Sequence, residues 1–166
     1  MQSPYFAHYP PGVTTVLAVE PEAYLRREAL ENAARAPVRV NVVPGVADRL
    51  PAEDESVDAI VYSLVLCSVP DQARALREGR SVLRPGGQLR FFEHVRAESA
   101  TLRRVQTLLD ATVWPTLAGG CHTGRGTAAA IEGVGFAIEE IEHFRFPDVR
   151  VALPTSPHIL GMARLP

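Results

Sequence analysis

From Val57 to Leu66 the chain reads VDAIVYSLVL, a stretch apolar almost throughout and rich in β-branched residues. A strand that is apolar on both of its faces needs cover on both faces, and helices laid across a parallel sheet provide it. The stretch is therefore expected to be a central strand. Its neighbours fit that expectation. Val13 to Val19 reads as a buried strand ended by Glu20-Pro21, and Val38 to Val43 as a second, ended by the turn Pro44-Gly45. Gln88 to His94 follows as a fourth strand, Ala137 to Phe146 as a fifth, and Pro157 to Arg164 as a final one. Between them lie helical stretches, roughly Glu22 to Arg35, Gln72 to Leu83 with Asp71 as N-cap, Ser99 to Leu117 and Gly126 to Gly133. In the third of these, Leu102, Val105, Leu108 and Leu109 share one side. Strands alternating with helices imply parallel pairing and an α/β layered fold. No repeat or long linker divides the chain, so residues 1–166 read as a single domain.

Composition narrows the functions open to such a fold. Seventeen basic residues stand against 19 acidic ones, a net charge of −2, so the chain is not built to coat nucleic acid or anionic lipid. Every basic residue is Arg, which excludes a Schiff-base amine, a phosphate-loop lysine and a lysine general base. The two cysteines, Cys67 and Cys121, are far apart, which argues against a disulfide-built secreted domain. No signal peptide or membrane-length apolar run is visible, so a cytoplasmic, soluble protein is expected.

Three places could carry chemistry. Glu20 closes the first strand, where a carboxylate can accept hydrogen bonds from both hydroxyls of a ribose, or can instead satisfy amides at the start of the next helix. After the second strand, the Ala47 amide and the Asp48 carboxylate could read the edge of an adenine; a solvated surface loop is the other reading, and Asp58 is expected to orient a turn. The third place, Leu83-Arg84-Pro85-Gly86-Gly87, is a helix stop and tight turn without chemistry of its own.

Taken together these features resemble the class I S-adenosylmethionine-dependent methyltransferases. More narrowly, the chain is similar to the branch that includes alkyl thiol methyltransferases, on five segments in order: His8-Tyr9-Pro10-Pro11-Gly12, Val19-Glu20-Pro21, Ser63-Leu64-Val65-Leu66-Cys67-Ser68-Val69, Phe92-Glu93-His94-Val95 and Gly119-Gly120-Cys121-His122-Thr123. The resemblance implies a Rossmann-like sheet with helices on both faces and S-adenosyl-L-methionine as cofactor. It implies that Glu20 binds ribose, that Ala47 and Asp48 face adenine, and that Ser63 and Leu64 lie beside the methionine part. The chain departs from the pattern at its beginning, where the family carries a strand and a G-x-G-x-G loop. Truncation at the N-terminus, a naturally shortened relative, and a homodimer that shares its unpaired strand edges are the three explanations.

The activity implied is methyl transfer to a small-molecule acceptor, a thiol by the branch resemblance. The alternative is a methyltransferase-like binding protein that is non-catalytic or independent of the cofactor. In-line displacement at a sulfonium needs positioning, a dry site and a route for the acceptor's proton. His94 and His122 are the candidates for that route. His94 reads either as a base or orienting group or as a histidine bonded to a backbone carbonyl. Cys67 reads as a buried inert thiol in an apolar strand, and Cys121 beside His122 as the more reactive one. No third or fourth ligand at suitable spacing accompanies them, so no metal is expected. Trp114 and Phe144 are expected to fill the core or line a pocket, and Glu93 to face away from His94 across its strand.

Overall fold

The computed structural model describes residues 5–147 and 153–166, which fall into two compact units, 1–51 and 52–166. The two are described separately.

In the first unit a short 3-10 turn, Tyr5–His8, precedes β1 (Thr15–Val19), α1 (Ala23–Ala33) and β2 (Arg39–Val43). The two strands pair in parallel, from Thr15 opposite Arg39 to Val19 opposite Val43. The connection through a helix is what parallel pairing of consecutive strands requires. Glu22 caps α1, its Oε2 accepting from the Leu25 amide at 2.9 Å, which satisfies one of the orphan donors of the first turn.

The second unit holds β3 (Val57–Ser63), α2 (Gln72–Val82), β4 (Leu83–His94), α3 (Ala100–Asp110), α4 (Trp114–Leu117), α5 (Thr127–Gly133), β5 (Ala137–Arg145) and β6 (Pro157–Arg164). Its sheet runs β3-β4-β6-β5. Only β3 and β4 are parallel; β6 lies antiparallel between β4 and β5. The alternation of helices and strands ends at α5, so β5 returns directly into β6, and such a direct return gives antiparallel neighbours. The strand 57–63, expected at the centre, is an edge of this sheet, and Val61 on it is half exposed. An apolar run reports that a strand is covered, not how many strands flank it.

The Asp71 cap of α2 is as expected, with its carboxylate accepting from the Arg74 amide at 3.0 Å. Ala75, Leu76, Gly79 and Val82 form the buried face of that helix. Gly79 is a packing requirement: a Cβ there would come within 2.6 Å of the Tyr62 hydroxyl, which donates to the Ala75 carbonyl at 3.0 Å. Beneath the helices, Leu66, Leu76, Leu83, Leu89, Phe91, Ile131 and Ile159 are at most 1% exposed. Full burial of such side chains contributes about 1.5–3 kcal/mol each. Asp58 forms an exposed ion pair with Arg84, a contact of small energetic weight.

Three expected elements differ. The strand expected from Gln88 begins at Leu83, so Arg84-Pro85-Gly86-Gly87, expected as a tight turn, lies within β4 as an irregularity where the register shifts between Val57 opposite Leu83 and Ala59 opposite Gln88. The strand expected over 57–66 stops at Ser63 because Leu64 adopts a left-handed backbone, φ 56, and Cys67 therefore sits in a turn rather than in a strand. The helix expected over 99–117 breaks between Asp110 and Trp114, and its apolar side is only in part its buried side: Leu102 and Leu109 are half-buried beside Gln106. Val105 and Leu108 are 42% and 66% exposed, whereas Gln106 is fully buried. Among the described residues no helix is long and apolar enough to cross a membrane.

Candidate active site

The carboxyl ends of strands are where open α/β sheets gather ligands. In the first unit, Glu20 continues the β1–β2 ladder by donating its amide to the Val43 carbonyl at 3.1 Å. Its Oε1 accepts from the Glu22 amide at 2.9 Å, so one oxygen serves the helix start. Its Oε2 carries no hydrogen bond among the described residues. Ala47 and Asp48 are the two central residues of a turn that the Arg49 amide closes on the Val46 carbonyl at 3.1 Å. Both are half-buried.

In the second unit the remaining candidates converge. Ser63 ends β3 opposite Phe92, and the Leu64 amide donates to the Phe92 carbonyl at 2.8 Å. His94 ends β4 opposite His158. The loop from Gly119 to Arg125 approaches both ends: the His122 amide donates to the Cys67 carbonyl at 2.8 Å, and Cys121 Sγ lies 3.6 Å from His94 Nδ1. Gly120 makes that approach possible. Its φ is 88°, and a Cβ there would meet the Ser68 carbonyl oxygen at 2.9 Å.

Four buried or half-buried polar side chains build this arrangement, and sequence reasoning assigned a role to none of them. The Glu93 carboxylate, fully buried, accepts from the amides of Val65 and Leu66 at 2.9 Å and of Cys67 at 3.0 Å. Burial pushes its pKa up, and those three donors oppose the shift. Gln106 accepts from the Ala97 amide at 2.8 Å and donates to the carbonyls of Thr123 and Pro154 at 2.8 and 2.9 Å, with Val95 at 3.1 Å sharing the same NH2 group. Asp110 accepts from the Thr123 and Gly124 amides at 2.7 and 2.9 Å. Arg125 donates to the carbonyls of Leu66 and Val69 at 2.8 and 2.6 Å. The signals were present: a carboxylate inside an expected strand, directly after Phe91 and Phe92, and a glutamine four residues after Leu102 on its helix face.

The electrostatics follow from these neighbours. Cys121 is held toward its thiolate by a hydrogen bond from Cys67, against the opposing effect of burial, with His94 and the Trp114 indole adding to the effect. Cys67 keeps its proton because it donates to Cys121, because it is buried, and because the Glu93 charge is near. His158 is pushed below the usual histidine range by burial. It lies in an aromatic layer, 5.1 Å from the Phe92 ring and 5.6 Å from that of Phe144, with His94 edge-on at 4.7 Å. Phe144 is thus a wall of this cluster. The Trp114 indole nitrogen is buried with no hydrogen-bond partner of good geometry.

His122 Nδ1 is 2.8 Å from the Gly120 carbonyl and 3.0 Å from Arg125 Nη2. These contacts ask for opposite tautomers. With the proton on Nδ1, donated to Gly120, Nε2 is left as a proton acceptor.

A family model described as a methyltransferase domain matches residues 2–91. The human thiol S-methyltransferase TMT1B is 37% identical over 161 residues, covering 95% of this chain and 65% of the relative. The chain thus spans about two thirds of that relative's length. A SAM-dependent methyltransferase from Methanosarcina mazei superposes with TM-score 0.69 at 21% identity, covering 90% of this chain and 81% of its own. The cyclase SpnF superposes with TM-score 0.72 at 19% identity, over 92% and 66%. With more than half its residues under the family model, and with solved structures of the same Rossmann-like methyltransferase fold superposing on it, this chain belongs to the methyltransferase domain family.

Proposed function

We propose that the protein transfers a methyl group from S-adenosyl-L-methionine to the sulfur of a small thiol. The observation that carries this reading is the meeting, at the carboxyl ends of β3 and β4, of Ser63, Leu64, His94 and the Cys121–His122 loop, in a chain similar to the human thiol S-methyltransferase. The residues suit the cofactor. Within the first unit, a carboxylate oxygen of Glu20 without a partner among the described residues matches ribose hydroxyls, and the turn at Ala47 and Asp48 is assigned to an adenine edge. Ser63 and Leu64, where the backbone turns sharply at the strand end, are assigned to the methionine part. When bound, this cofactor supplies an electrophilic methyl group on a sulfonium.

The chain's own part is to position the thiol and take its proton. A thiol ionises near neutrality, so a modest base suffices. His122 Nε2 accepts the proton, its tautomer set by Gly120, and Arg125 beside it places a fixed positive charge near the forming thiolate. His94, its Nδ1 turned to Cys121, is the orienting group. Isothermal titration with S-adenosylhomocysteine and a methyl-transfer assay with 2-mercaptoethanol test the reading. Saturable micromolar binding with turnover supports it, and His122→Ala should then lower turnover about 10²–10⁴-fold while binding persists. Binding without turnover on any thiol would favour the second reading, a methyltransferase-like fold used for binding alone.

A further inference from the structure

Cys67 Sγ, Cys121 Sγ and a ring nitrogen of His94 all lie within 4.8 Å of one another. No spacing in the sequence points to this trio, since its members come from the turn after β3, the end of β4 and the loop before α5. We propose that the three side chains bind a zinc-class divalent cation through two sulfurs and one nitrogen, leaving one coordination position open.

Geometry supports it first. Zn–S bonds of about 2.3 Å and Zn–N bonds of about 2.0–2.1 Å at a tetrahedral angle place sulfur and nitrogen about 3.6 Å apart. Cys121 Sγ and His94 Nδ1 are 3.6 Å apart. The scaffold supports it second, because each ligand is fixed by its own backbone. Cys67 is held through its amide by Glu93 and through its carbonyl by His122. The Cys121 amide donates to the Ala118 carbonyl at 3.1 Å. His94 is fixed by its pairing with His158 and the edge-on contact of their rings.

The donor set decides the ion. Two thiolates and an imidazole suit zinc or its soft neighbours and not magnesium or calcium, which take oxygen. The nearest carboxylate, Glu93, is occupied by three amides. Binding the ion displaces the Cys67 proton to solvent, and the two thiolates then neutralise the divalent charge, as a buried position requires. Cys67 and Cys121 are 1% and 7% exposed while His94 is half-buried. Three protein ligands with a fourth position open is the pattern of catalytic zinc, and structural sites close all four.

The open position admits an exogenous thiol as its thiolate, the S–H proton passing to His122 or to solvent as the metal–sulfur bond forms. That statement about the occupant rests on the thiol-methylating reading; the metal site does not.

The test uses the full chain, reduced and stripped with chelator. Titration with Zn²⁺ should show one ion per chain with a dissociation constant tighter than about 1 µM at pH 7. Co²⁺ should produce near-ultraviolet sulfur-to-metal absorption and the visible bands of a tetrahedral site. Cys67→Ala, Cys121→Ala and His94→Ala should each weaken binding at least 10-fold with melting curves still cooperative. A fully reduced, folded wild-type chain that takes up no Zn²⁺ or Co²⁺ at 10 µM would overturn the proposal. So would formation of a Cys67–Cys121 disulfide that accounts for both thiols in air with no metal uptake after reduction. A shift of the cobalt bands on adding 2-mercaptoethanol supports the open position; unchanged bands overturn that part. Titration with S-adenosylhomocysteine on the Cys121→Ala chain reports separately on the cofactor reading, because neither partner in that measurement needs the metal.

Discussion

Glu93 holds Cys67 by its backbone: the carboxylate of a fully buried strand residue accepts the Cys67 amide at 3.0 Å while its other oxygen takes Val65 and Leu66. Three amide donors of a tight turn are thereby satisfied by one side chain, 26 to 28 residues away in the chain. Glu93→Gln keeps the shape but replaces one acceptor oxygen with a donor that faces N–H groups. A destabilisation of about 1–3 kcal/mol is expected, read by urea unfolding. An unchanged midpoint would show that the turn does not depend on the carboxylate.

Gln106 and Leu108 make an inverted pair on α3. Gln106→Leu leaves the Ala97 amide and the Thr123 and Pro154 carbonyls without their partner, and should cost about 1–3 kcal/mol for each group left unsatisfied. Leu108→Gln, at a position 66% exposed, should stay within about 0.5 kcal/mol of the parent. Hydropathy alone would order the two changes the other way, so thermal melting of both variants decides between the accounts.

Gly79 and Tyr62 should be coupled. Gly79→Ala sets a methyl group against the Tyr62 hydroxyl and should destabilise by about 1–3 kcal/mol. In a Tyr62→Phe background the hydroxyl is gone, and the same substitution should cost less. A double-mutant cycle with an interaction energy near zero would remove this reason for the glycine.

His158 gives the fold a dependence on pH. Its folded pKa lies below that of an unfolded histidine, about 6.5, so the unfolded chain binds more protons as pH falls. Its contribution is constant above about pH 7 and is lost progressively as pH drops through 6.5 toward the lowered folded value. Melting temperature measured from pH 8 to 5 should decline in that window, and less steeply for His158→Phe.

Local chemistry was legible in the residues wherever one segment decided its own structure. The Asp71 cap, the helix that it opens and the strands at 39–43, 137–145 and 157–164 follow from periodicity and stop signals that act within a few residues. The motif segments holding Glu20 and His94 likewise marked strand ends, whereas the strand read to Leu66 stops at Ser63. Three things lay beyond that range. Which strands are neighbours placed β3 at an edge and β6 between β4 and β5, because pairing is a choice among partners that no single strand encodes. Which part of the apolar side of α3 is buried was not legible: Gln106, one amide group bonding four backbone groups, takes the fully buried position between the half-buried Leu102 and Leu109, and Val105 and Leu108 are left exposed. The meeting of Cys67, His94 and Cys121 depends on buried hydrogen bonds between segments 26 to 59 residues apart, and such bonds exist only once the chain has folded around them.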